Sequence, residues 1–184
     1  KQLGASFSKW RAVINITDKT PTDYAIHANA DALARYASLC QENGLVPIVE
    51  PEILMDGAKS KHTIDKCYEV TSKTLDIVFA KLIEAKVDLN GIILKPNMVI
   101  AGINAENQAT EFDVAEQTLK CLREHMPDSV PGVCFLSGGQ NDLDATKHLS
   151  IMNKMKETDI KLSFSYGRAL QQSALMTWGG KDEN

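Results

Sequence analysis

Two kinds of segment alternate along the chain. Short apolar or β-branched runs at residues 7–16, 45–49, 91–94, 132–136 and 160–164 read as strands. Between them, residues 21–43, 63–86, 111–126 and 142–153 carry apolar positions at helical spacing. Punctuation marks the first helix: Thr20 suits the N-cap, Pro21 the first helical position and Gly44 the residue past the end. Ala25, Leu33, Ala37 and Cys40 form its stripe towards a sheet, as Val70, Leu75, Val78, Phe79 and Leu82 do for the second. The fourth opens with acidic residues, which suit a helix N-terminus.

This alternation predicts βαβ units and a parallel α/β sheet, with five strands and four complete helices between them. The alternatives are an open doubly wound sheet and a closed barrel. No Gly-rich phosphate fingerprint follows an early strand, which counts against the first. Polar residues gather where strands end, as on the active face of a (β/α)8 TIM barrel. A whole barrel takes about 250 residues, so five strands amount to part of one. With no repeat or linker in view, residues 1–184 are expected to form a single domain.

Composition narrows the classes. A net charge of −4 points away from nucleic acid and from a polybasic membrane surface. No apolar run approaches the roughly 18 residues that span a bilayer, and no signal peptide is visible. The expected setting is therefore cytoplasmic. Cys40, Cys67, Cys121 and Cys134 are widely spaced with no C-x-x-C pair, so reduced thiols are expected. Both ends look cut: the chain opens at Lys1, almost at once into a strand. It stops at Lys181-Asp182-Glu183-Asn184, where the acidic first turn of another helix could begin.

Candidate chemistry centres on Lys95, which ends the apolar run Ile92-Ile93-Leu94. Strand alternation sets Ile93 and Lys95 on one face, and desolvation at such a place favours a neutral, nucleophilic amine. The alternative is a strand-end lysine pointing to water. Glu50 and Glu52 flank Pro51 and aim the same way, so one carboxyl can hold a proton while the other stays ionised. A solvated acidic loop is the plainer explanation, which the buried-strand sequence Pro47-Ile48-Val49 weakens. Lys9 and Arg11 straddle Trp10 at the same spacing and suit an anionic substrate, or else a charged sheet edge. After the fourth run, Ser137-Gly138-Gly139 lets backbone N–H groups approach an anion. After the fifth, Ser165-Tyr166-Gly167-Arg168 offers an arginine that can grip phosphate. The histidines His27, His62, His125 and His148 show no metal-ligand spacing, so no metal is expected.

Together, VPIVEPEIL, LKPNM, GVCFLSGGQ, FSYGRALQ and the final AL-x-x-WGG resemble class I fructose-bisphosphate aldolase over nearly the whole chain. The resemblance implies strands four to eight of the barrel, without the first three βα units and the C-terminal tail. A catalytic aspartate, a further lysine and a tail tyrosine go with those parts. It implies Lys95 as the Schiff-base lysine, Glu50 as general acid/base, and Glu52 and Lys9 completing the charged cluster. Arg11 and Arg168 are then phosphate contacts, with Ser137, Gly138 and Gly167 as donors, and Gly139 and Ser165 in the same loops. The implied reaction is reversible cleavage of fructose 1,6-bisphosphate to dihydroxyacetone phosphate and glyceraldehyde 3-phosphate. No cofactor is implied, and a homotetramer is implied by analogy. Two rival readings stand beside it: a Schiff-base aldolase for another sugar phosphate, and a non-catalytic fragment acting as a binding or assembly module. An intact mass near 20 kDa in solution favours the last.

Overall fold

A computed structural model describes residues 2–181. Five strands, β1 (Phe7–Ile14), β2 (Val46–Ile53), β3 (Ile93–Leu94), β4 (Gly132–Phe135) and β5 (Lys161–Phe164), alternate with helices. These are α1 (Asp23–Glu42), α2 (Ile64–Glu84), α3 (Glu111–His125), α4 (Asp142–Met155) and α5 (Arg168–Trp178). The strands form one parallel sheet in the order β1-β2-β3-β4-β5. A doubly wound sheet reverses its strand order at a switch point, and this one does not. The fold is a partial (β/α)8 barrel of five successive units.

Register explains which residues are inside. Ala12 and Ile14 of β1 stand beside Pro51 and Ile53 of β2, and Val49 stands beside Leu94. The same row continues through Val133 to Leu162. It forms the helix-facing side of the sheet and packs against Leu33 and Ala37 of α1, Leu75, Val78 and Leu82 of α2, and Val114 and Leu122 of α3. The opposite row corresponds to the barrel lumen and carries Lys9, Arg11, Glu50, Glu52, Lys95 and Cys134.

Side-chain caps start four of the helices. Thr22, Thr63 and Asn141 accept N–H bonds from Ala25, Lys66 and Asp144, and Thr110 with Asp113 makes a capping box. The first cap corrects the sequence expectation. Thr20 is paired with Thr17 in both directions, so the helix begins two residues later on Thr22 and Pro21 stays outside it.

β2 also runs further than expected, through Pro51 and Glu52 to Ile53. Even-numbered residues of β2 bond to β1, as Val46 and Leu54 show by donating to Ser6 and Ile14. Odd-numbered ones face β3, whose pairing stops at Leu94. Pro51, which has no N–H, stands where the β2–β3 pairing has ended and leaves the bonds to β1 intact. The fifth helix completes the last of the five βα units that the resemblance implies, and no side-chain cap announces it: Gly167 stands at its N-cap. Asp182–Asn184, read from sequence as a further helix start, lie outside the described residues. No helix among the described residues is long and apolar enough to cross a membrane. The four cysteines are free thiols, three of them buried.

Candidate active site

The acidic pair sits on an inner strand of the sheet. β2 has neighbours on both sides, and Glu50 and Glu52 are 3% and 2% exposed. Burying two carboxylates is expensive unless each is paired. β1 supplies cations from one side: Lys9 Nζ lies 3.0 Å from Glu50 Oε2, and Arg11 Nε donates to Glu52 Oε2 at 2.5 Å. Each cation reaches diagonally, because the residue directly opposite Arg11 is Glu50.

From the other side comes Lys95. Its backbone N–H donates to Val49 at 2.8 Å, which carries the β2–β3 ladder one residue past the strand and sets the side chain beside Glu50. Nζ lies 3.1 Å from Glu50 Oε1, and the residue is 8% exposed. Glu50 thus stands between two lysines. The Lys9 contact is off-axis, so Glu50 Oε2 has charge beside it and no directed hydrogen bond. The Glu52 bond to Arg11 is the largest influence raising the guanidinium above its ordinary value, with Glu52, Glu50 and Asp56 charges adding to it. Two lysines and an arginine thus surround two carboxylates.

A second group forms at the same rim. Ser137 is buried, and Gly138 and Gly139 follow with φ of +60° and +90°, in a turn closed by Gln140 N–H on the Ser137 carbonyl. Left-handed backbone at two successive positions favours glycine at both. Arg168, the first residue of α5, places Nη2 2.7 Å from Asp56 Oδ2. Ser165 follows β5, and its N–H donates to the Phe135 carbonyl, extending the β4–β5 ladder. Gly167 is exposed, with ordinary φ and nothing crowding its Cα.

Three residues of the site escaped the sequence reading. Asp56 lies in the loop after β2, with no periodicity to mark it. Asn97 accepts the Ile53 N–H at 2.9 Å and donates to Thr71, tying the end of β2 and α2 to the Lys95 loop. Gln140 donates to the Ser137 carbonyl and accepts from His148 Nδ1 at 2.7 Å, bracing the glycine turn against α4. Buried amides of this kind carry no spacing signal; only their partners reveal them. No cluster of His, Cys, Asp and Glu able to hold a metal occurs among the described residues.

Comparison with known proteins decides the family. The sequence model for "Fructose-bisphosphate aldolase class-I" matches residues 1–184. The chain belongs to the class I fructose-bisphosphate aldolase family. A probable class 1 aldolase of Xanthomonas campestris is 54% identical over 176 residues, covering 96% of this chain and 52% of that protein. The cytosolic aldolase 6 of Arabidopsis thaliana is 52% identical, covering all of this chain and 50% of its own length. Aldolase B of Gallus gallus is 51% identical with the same coverage. A Plasmodium falciparum aldolase, solved with TRAP and a small-molecule inhibitor, superposes with a TM-score of 0.93 at 50% identity. It covers 99% of this chain and 52% of that structure. The aldolase-family chain thus spans about half the length of the relatives it matches.

Proposed function

We propose that the protein carrying this chain is a lyase that cleaves fructose 1,6-bisphosphate reversibly through a Schiff base on Lys95. The observation that carries this reading is the buried Lys95 amine 3.1 Å from Glu50, at the C-terminal end of a barrel strand. The amine attacks the substrate ketone, and Glu50 supplies and accepts protons as the carbinolamine loses water. The resulting iminium takes up the electron pair of the breaking carbon–carbon bond as the C4 hydroxyl passes its proton to a carboxylate of the site. Glyceraldehyde 3-phosphate leaves, and the enamine is protonated and hydrolysed to dihydroxyacetone phosphate and free Lys95.

Lys9 and Glu52 complete the charge pattern around Glu50, while Arg11, Arg168 and the Ser137–Gly139 turn bind the phosphates. Ser165 and Gly167 shape the loop that presents Arg168. Arg11 bonds Glu52 through Nε, and its two terminal nitrogens are not used in that bond.

Residues 1–184 are, in this reading, one domain of five βα units, the fourth to eighth of the barrel, with three earlier units and a tail supplied by the full-length protein. The apolar flank of β1 supports it. Trp10, Tyr36, Leu39 and Leu45 line an open hollow of about 770 Å³ there, where a closed barrel sets the preceding helix. By family analogy the assembled enzyme is a cytoplasmic homotetramer.

Borohydride trapping tests the mechanism. Added during turnover with the full-length protein, it reduces the imine to a secondary amine, and peptide mass spectrometry locates the adduct. The adduct is expected on Lys95. Labelling at Lys9, or no substrate-dependent adduct, overturns the reading.

A further inference from the structure

Asp56 is the charged residue at this rim to which the proposed chemistry gives no task. It lies three residues beyond β2, with its side chain 18% exposed. Gly139 explains how a carboxylate reaches this place. A Cβ at position 139 would stand 2.5 Å from both Cβ and Oδ2 of Asp56, so the close approach requires glycine, as does φ of +90°. Seated against the turn, Asp56 contacts Arg168 Nη2 through Oδ2 at 2.7 Å. The loops after β2, β4 and β5 therefore meet at one carboxylate.

The guanidinium carries five N–H donors in a rigid fork, and a contact through Nη2 orients the fork without consuming it. Without that contact, a long side chain 64% exposed samples many rotamers and must be ordered when an anion binds. Ordering such a side chain costs about twofold to tenfold in affinity. An acid beside an anion site also repels the anion. The two effects oppose each other, and the burial of Asp56 against the turn favours the first, because the carboxylate is fixed by packing on Gly139.

We propose that Asp56 is a positioning residue, which holds Arg168 beside the Ser137–Gly139 turn so that the guanidinium meets a substrate phosphate already oriented. This rests on the reading of Arg168 as a phosphate contact. It also gives Gly139 a different part from the backbone donor expected of it: a seat for the carboxylate.

The test is a double-mutant cycle in the full-length protein, with Asp56→Asn and Asp56→Ala made alone and together with Arg168→Ala. Two quantities are read: KM and kcat for fructose 1,6-bisphosphate, and the Kd of inorganic phosphate by calorimetry. The Asn substitution keeps the side-chain volume and carries the test if the Ala variant fails to fold. Expected is a rise of about twofold to tenfold in KM and in phosphate Kd, with kcat unchanged and no further rise once Arg168 is Ala. An unchanged or lowered phosphate Kd overturns the proposal, as does an equal rise in the Arg168→Ala background. A wild-type protein that binds no phosphate overturns it too. Asp56-dependent phosphate binding in a protein that cleaves nothing overturns the aldolase reading and leaves this one standing.

Discussion

Lys95 follows β3 as a buried residue, pinned by its own ladder bond to Val49 and by the Leu136 bond to the neighbouring Pro96. Arg168 follows β5 in the open, on an exposed helix start, with Asp56 on its guanidinium. The same rim thus holds one group by sheet register and the other by a single side-chain contact. The difference fits the demands that the proposed roles make on each. Bond-making tolerates errors of well under an ångström, so a nucleophile belongs on a rigid strand. Phosphate is large, symmetric in its oxygens and carries strong charge, so a reorienting arginine can grip it. Loss of the first should abolish turnover, and loss of the second should weaken binding.

The largest effect is expected from Lys95→Arg. The variant keeps a cation beside Glu50 and removes the amine, so kcat falls by several orders of magnitude while the melting temperature holds. Retained activity would remove Lys95 from the chemistry and with it the contrast between the two ends.

Arg168→Ala comes next and sharpens the contrast from the other side. A charge-assisted hydrogen bond contributes about 1.5–3 kcal/mol, so KM for the bisphosphate should rise about tenfold or more. The side chain is exposed and its truncation opens no core cavity, so stability moves by only about 0.5 kcal/mol. A loss confined to kcat, with KM intact, would put Arg168 on the reacting bond.

The smallest effect concerns the brace behind the glycine turn. Burial, its largest influence, holds the His148 imidazole below the ordinary value of 6.5; Lys147 acts the same way, while Asp144 and Glu111 pull it up. The unfolded chain then binds more protons than the fold in the window just below pH 6.5, so stability rises with pH there. It is complete above 6.5 and is lost as pH falls through that value towards the lowered one. Thermal melts of wild type and His148→Gln between pH 7.5 and 5.5 measure this, the variant showing the shallower decline. Buried His62, also lowered by burial, leaves the variant some residual slope. A decline identical in the two proteins would take His148 out of the pH response.

The sequence showed the strand–helix alternation, because period-two and period-3.6 patterns depend only on which face is buried. It set Lys95, Glu50, Glu52, Lys9 and Arg11 on one face of their strands for the same reason: two-residue spacing on a strand fixes a shared face. The end of β2 was misplaced because proline and glutamate ordinarily signal a loop, and only the early end of β3 shows why Pro51 is harmless. The start of α1 was misplaced because Thr20 and Thr22 are equally good caps in isolation; the pairing of Thr20 with Thr17 decides between them. The fifth helix buries none of its residues, so its own segment showed no one-sided pattern, and it was expected only from the five βα units that the resemblance implies. Asp56 was invisible for a different reason. Its partners Gly139 and Arg168 lie about eighty and a hundred residues away, joined to it by the barrel topology.

Strand order that repeats chain order also gives assembly a direction. Each strand meets its first partner as soon as the next unit is synthesised, with no wait for a distant segment. Emerging from the ribosome, β1 and β2 can already bring Lys9 to Glu50 and Arg11 to Glu52. Lys95 then arrives at a carboxylate already in place, and Arg168 arrives last. Shortening the chain from its C-terminal end therefore removes Arg168 first and spares the lysine–carboxylate pair. Shortening from the N-terminal end strips the two β1 cations and leaves Glu52 buried without Arg11, the more damaging loss.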